Sequence, residues 1–126
     1  MKIFFVLLLS VSALLSDNIR WQNDFDKALF KAKKEKKEIM LLVLKKECAV
    51  CKNIFVTLFN DKTVQKEVNK KYIAVVVFFE NENSYPIELF YTQSFPSLFF
   101  ISSKDESFLQ KPLFGNFTKE ELLKNL

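Results

Sequence analysis

The 126-residue chain contains no histidine, one glycine, two cysteines and three prolines. Each scarcity excludes something. Without histidine, no Ser-His or Cys-His nucleophile pair can be built. A histidine-ligated zinc, copper or non-haem iron site is excluded as well. A Cys-x-x-Cys-His haem attachment is ruled out because Lys52 follows Cys51. So little Gly and Pro argues against a turn-rich β-sandwich and for long regular elements. Neither sign of charge dominates: 19 basic residues face 15 acidic ones, a formal net charge of +4. Most of the excess lies in "KAKKEKK", residues 31–37. That run reads as a solvated helix end whose cations complement the dipole, not as a nucleic-acid or anionic-lipid patch. No nucleic-acid partner is expected.

What the chain has in quantity is apolar surface. Hydrophobic residues make up 49 %, including fifteen Phe. That supplies one packed core, and the length suits one domain. The first sixteen residues, "MKIFFVLLLSVSALLS", carry one Lys followed by an apolar run. This is the pattern of a secretory signal, with cleavage after Ala13 or Ser16 and a domain over 17–126. The run is shorter than the roughly 20 residues of a membrane span. Export to the periplasm or the exterior is expected, with an uncleaved anchor as the alternative. Disulfides persist in such compartments.

Periodicity sets the expected elements. Ile19, Phe25, Ala28, Leu29 and Ala32 recur at helical spacing behind Asp17 or Asn18. They predict an amphipathic helix over 18–36, with Trp21 a core anchor. "EIMLLVL" (38–44) and "YIAVVVFF" (72–79) are apolar on both alternating faces, as strands buried on both sides are. Residues 48–70 read as a helix bent near Asn60-Asp61, and 85–91 as a short helix with Pro86 in its first turn. Strands are expected over 97–102 and 107–113, antiparallel to each other. Gly115 can take a backbone conformation that other residues resist. Thr118 and Glu121 form a capping box for a last helix. The resulting order, after the first helix, is β-α-β-α-β-β-α.

Both cysteines lie in "KKECAVCKNIF", where a buried strand hands over to a helix. Cys48 is expected at the helix N-terminus, facing unpaired N–H groups and the positive end of the dipole. A thiolate is stabilised there, its pKa falling from about 8.5 into a range of roughly 3.5–7.5. Cys51, one turn on, faces the same side. Cys48 can attack a partner disulfide, and Cys51 can then resolve the mixed disulfide. Three blander readings compete. A structural disulfide would close too short a loop to constrain the unfolded chain much. A thiolate site for Cu(I) or zinc needs more ligands than these. The third is an inactive pair.

Several segments, taken in order, resemble one family. "IRWQNDFDKALFKAKKEKKEIMLLV", "CAVCKNIFVTLFNDKTVQKEVNKKYIAVVV", "YTQSFPSLFFIS" and "GNFTKEELLKNL" together resemble the secreted or periplasmic thioredoxin-like proteins over 18–126. The resemblance implies an α/β thioredoxin-like fold, a central mixed β-sheet flanked by helices, with an extra N-terminal helix. It implies an exported thiol–disulfide oxidoreductase that reduces or exchanges disulfides of exported proteins. Cys48 and Cys51 would be catalytic. Pro96 would be the family's cis-proline, with Phe95 offering its backbone to an extended substrate. Neither cofactor nor metal is implied. The partners would be protein thiols and disulfides and a membrane-bound redox protein, and the chain would act as a monomer. An oxidase or isomerase, a non-catalytic thioredoxin-fold binding module and a thiolate metal carrier are the alternatives. Five positions depart from the pattern: Glu47 stands where Trp is usual, Ala49-Val50 where Gly-Pro is, Leu42 where a buried acid is, and Phe95 where a β-branched residue is common.

Overall fold

A computed structural model describes residues 18–126. The expected signal segment, 1–16, lies outside the described residues. Four helices and four strands follow in order: α1 (Phe25–Glu35), β1 (Glu38–Leu44), α2 (Ala49–Thr57), α3 (Lys62–Lys71), β2 (Tyr72–Phe78), β3 (Ser97–Ile101), β4 (Leu113–Phe114) and α4 (Lys119–Asn125). The sheet order is β2-β1-β3-β4, with β1 parallel to β2 and antiparallel to β3. This is a mixed sheet flanked by helices, as the resemblance implies.

The apolar run of β1 has a physical consequence. Successive side chains of a strand point to opposite faces. Met40, Leu42 and Leu44 therefore enter one core cluster, and Ile39, Leu41 and Val43 enter another. The first face is covered by Cys51 and Ile54 of α2, Val64 and Val68 of α3, and Leu122 of α4. The second is covered by Phe25, Ala28 and Ala32 of α1, and by Tyr85 and Phe90 of the β2–β3 connection. Both faces are thus sealed without a long second helix on the α1 side.

Four expectations are corrected by tertiary contacts. The first helix begins at Phe25, not at residue 18. Asp24 caps it, accepting from the Lys27 N–H at 3.0 Å. The preceding residues are extended instead, since Gln22 donates to the Ala74 carbonyl and accepts from the Val76 N–H at 2.8 and 2.9 Å. Trp21 still packs on the core, against Phe55 and Phe59. The long middle helix is two helices, α2 and α3, with Asp61 at the N-cap position of the second but making no side-chain capping bond. Residues 85–91 make a single turn, closed by Leu89 N–H to the Pro86 carbonyl, while the short 3-10 helix lies earlier, at Glu82–Ser84. The fourth strand is reduced to Leu113–Phe114 and a bridge between Phe108 and Ile101. Pro112 between them has no N–H to give the ladder. The Thr118–Glu121 capping box forms, and Gly115 has φ +69°.

Candidate active site at the Cys48–Cys51 disulfide

Cys48 is the N-cap of α2, with an extended backbone of φ −125° and ψ 103°. Its sulfur accepts a hydrogen bond from the Cys51 N–H at 3.1 Å. One of the orphan donors of the helix end is therefore aimed at sulfur. The two cysteines are joined in a disulfide, with Cα atoms 5.2 Å apart. Their exposures differ: Cys48 is half-buried, whereas Cys51 is 2 % exposed and belongs to the core cluster that holds Leu42. Cys48 is the more accessible of the two.

The loop before Cys48 is tied to β2 and its continuation. The Phe79 N–H donates to the Leu44 carbonyl at 2.8 Å, and the Lys46 N–H donates to both carboxylate oxygens of Glu80 at 3.2 Å. Glu47 then adopts φ 54°, in the left-handed region. That turn redirects the chain from the strand into α2. Lys45, Lys46 and Lys52 line the pocket at the disulfide, against Glu47 there and Glu80 on the Lys46 backbone. An electropositive surround of this kind favours a thiolate.

On the other side of β1, the Phe95–Pro96 peptide bond is cis. The Phe95 ring lies 5.1 Å from that of Phe79 and packs against both core clusters. The Lys45 ammonium sits 5.7 Å from the Phe95 ring centroid, within cation–π range. Lys45 thus links the Phe95–Pro96 turn to the loop that carries Cys48. Thr92 stiffens the approach, its hydroxyl accepting from the Ser94 N–H at 3.0 Å and lying 2.7 Å from the Ser97 hydroxyl. The Pro96 carbonyl accepts from the Gly115 N–H at 2.9 Å. Tyr85 is buried in the core cluster that Phe95 packs on, and its hydroxyl has no hydrogen-bond partner among the described residues. Burial, and secondarily the charge of Glu80, pushes its pKa above the usual tyrosine value.

The residues singled out in the sequence fall into two groups on the two sides of β1, the cysteines at its end and Phe95–Pro96 at the entry to β3. Lys45, Phe79 and Glu80, which join and brace them, were not singled out. The pair "KK" just before "ECAVC" was a usable signal for Lys45, but no local pattern marks Phe79. Leu42, where the family pattern has an acid, is fully buried. Among the described residues no group of three or more His, Cys, Asp or Glu could hold a metal ion. No helix among them is long and apolar enough to cross a membrane.

Residues 20–103 match a family model described as thioredoxin-like. No curated protein matches the chain. Among solved structures, a thioredoxin from Thermus thermophilus superposes with a TM-score of 0.74 at 19 % identity, covering 86 % of this chain and 84 % of that one. A putative disulphide-isomerase from Bacteroides thetaiotaomicron gives 0.69 at 25 % identity, covering 85 % and 87 %. The DsbH oxidoreductase gives 0.69 at 18 % identity, covering 86 % and 83 %.

Proposed function

The chain belongs to the thioredoxin-like family, and from that premise we propose that it is an exported protein that reduces or exchanges the disulfides of other exported proteins. It is a thiol–disulfide oxidoreductase with a Cys48–Cys51 centre. In this reading the Cys48 thiolate attacks one sulfur of a substrate disulfide. A mixed disulfide forms and one substrate thiolate leaves. Cys51 then attacks the Cys48 sulfur, the second substrate thiolate leaves, and the Cys48–Cys51 bond is restored. Two electrons pass to the substrate. A membrane-bound redox protein returns them. Phe95 and Pro96 hold the substrate as an extended segment, through main-chain hydrogen bonds that tolerate many sequences.

The observation that carries the proposal is the asymmetry of the pair. Cys48 is half-exposed at a helix N-terminus and accepts an N–H, while Cys51 is buried one turn behind it. That is the arrangement of an attacking and a resolving thiol. Export rests on the signal-like residues 1–16. A second reading, as an isomerase or oxidase, is favoured by the 25 % identity to the putative disulphide-isomerase and by the lysines around the sulfurs. Stabilising the thiolate form makes a centre more oxidising.

Equilibration of the Cys48–Cys51 couple with glutathione buffers tests both readings. A potential near about −270 mV supports the reductase, and one near about −120 mV supports the oxidant. A disulfide that resists strong reductants overturns both.

A further inference from the structure

A groove of about 720 Å³ opens beside the disulfide, between α2 and β2. Pro96 leads into β3, on one side of β1, whereas the groove lies over β2, on the other. Cys48 and Cys51 both line it. Its floor is apolar, formed by Leu44, Phe55, Val76 and Phe78, and Phe78 is 42 % exposed. Its rim carries Lys45, Lys46 and Lys52 against Glu47, with the Glu80 carboxylate beside it on the Lys46 N–H.

Among the described residues, the outer backbone edge beside this groove is paired at Gln22 alone. β2 is an edge strand. Gln22 pairs with its outer edge through Ala74 and Val76, and the chain then turns away at Asp24 into α1. Strand parity places the Val76 carbonyl and the Phe78 N–H on that same outer edge. Among the described residues, Gln22 is the one bridged to it. An edge of this kind is a template for an added strand.

We propose that this groove binds an extended acidic and apolar segment of the protein substrate, next to the substrate's reacting cysteine. The inference rests on the oxidoreductase reading above and names the substrate class. The segment's main chain pairs with Val76 and Phe78. A bulky apolar side chain sits among Phe55, Val76 and Phe78, and neighbouring Asp or Glu residues meet Lys46 and Lys52. The apolar floor favours a polypeptide over a small polar thiol. The lysine rim favours acidic flanks and repels basic ones.

The test uses rhodamine-labelled peptides without cysteine, so that binding is read apart from redox chemistry. One carries Leu between Glu residues, a second has Lys for each Glu, and a third has Ser for Leu. Anisotropy should show the Glu-Leu peptide binding about tenfold tighter than either of the others. The Lys46→Glu, Lys52→Glu double variant should invert the charge preference, a gain that misfolding cannot mimic. Equal binding of all three peptides, or a preference unmoved by charge reversal, overturns the proposal. So does self-association without peptide binding, which would give the edge to a second copy. Turnover of hydroxyethyl disulfide is measured in parallel. If it fails while peptide preference holds, the redox reading falls and the groove stands. The converse removes the groove alone.

Discussion

Replacing Phe90 by Ala tests what holds the β2–β3 connection, and with it the turn that carries Phe95 and Pro96. Phe90 is 1 % exposed, and its ring centroid lies 5.4 Å from Phe25, 5.7 Å from Phe99 and 5.9 Å from Phe108. It seals part of the sheet face that α1 leaves uncovered. Truncating a buried Phe to Ala costs about 3–5 kcal/mol, against a total stability of about 5–15 kcal/mol. With a urea m-value of roughly 1.5 kcal/mol/M for a chain of this size, the midpoint should fall by about 2–3 M. Trp21 is the only tryptophan and packs against Phe55 and Phe59, so its fluorescence reports the transition. Leu89, next door but 58 % exposed, supplies the contrast: its Ala variant should move stability by less than about 0.5 kcal/mol. Phe90→Leu, about 1 kcal/mol destabilised, keeps the comparison readable if the Ala variant does not fold. A loss below about 1 kcal/mol for Phe90→Ala, or an equal loss for Leu89→Ala, would refute the reasoning.

Three further predictions address the site. Cys51→Ser should accumulate a mixed disulfide through Cys48, seen as an adduct by mass spectrometry under non-reducing conditions, whereas Cys48→Ser should form none; the reverse pattern would exchange their roles. Glu47→Gly should gain about 0.5–1 kcal/mol, since a non-glycine residue at φ 54° pays about 1–2 kcal/mol for the left-handed region and glycine's added freedom when unfolded takes part of this back. Loss of the carboxylate should also raise the reduction potential by favouring the Cys48 thiolate, and a lower potential would contradict the electrostatic argument. Tyr85→Phe should stabilise by about 1 kcal/mol or be neutral, because the buried hydroxyl it removes has no partner among the described residues. Burial raises the pKa of Tyr85, as it does that of Tyr72. The stabilising contribution of both is fully present below about pH 10 and is lost as pH rises through their folded values. Thermal melts from pH 9 to 12 should show that fall, partly relieved in Tyr85→Phe; a flat profile would count against it.

Much of the fold was legible from short-range pattern. The doubly apolar runs located β1 and β2 because a strand buried on both faces cannot spare polar positions. Thr118 and Glu121 marked the last helix because a capping box is complete within four residues. The helix start was misplaced for the opposite reason. Asp17 or Asn18 offered a cap ahead of the helical run of Phe25, Ala28, Leu29 and Ala32, but the backbone of Gln22 finds its hydrogen bonds on Ala74 and Val76, some fifty residues away in sequence. The fourth strand was overextended because Phe108 and Leu109 are apolar as well, whereas Pro112, between them and Leu113–Phe114, cannot donate to the ladder. At the site, the cysteine spacing and the strand–helix junction placed Cys48 as a cap from the residues alone. The proline turn needed a family resemblance, since nothing local makes an X-Pro bond cis.

The sequence by itself determined the α/β alternation, the two-faced central strand and a Cys-x-x-Cys pair at a helix N-terminus. All of these follow from periodicity and capping, which act over a few residues. Only the tertiary structure decided which sulfur is exposed, that Lys45 lies over Phe95, and that a lysine-rimmed groove opens beside β2. Each of these depends on where residues 18–24, the β2 edge and the β2–β3 connection come to rest against the cysteine loop. Segments far apart in the chain meet only when burial of both sheet faces brings them together.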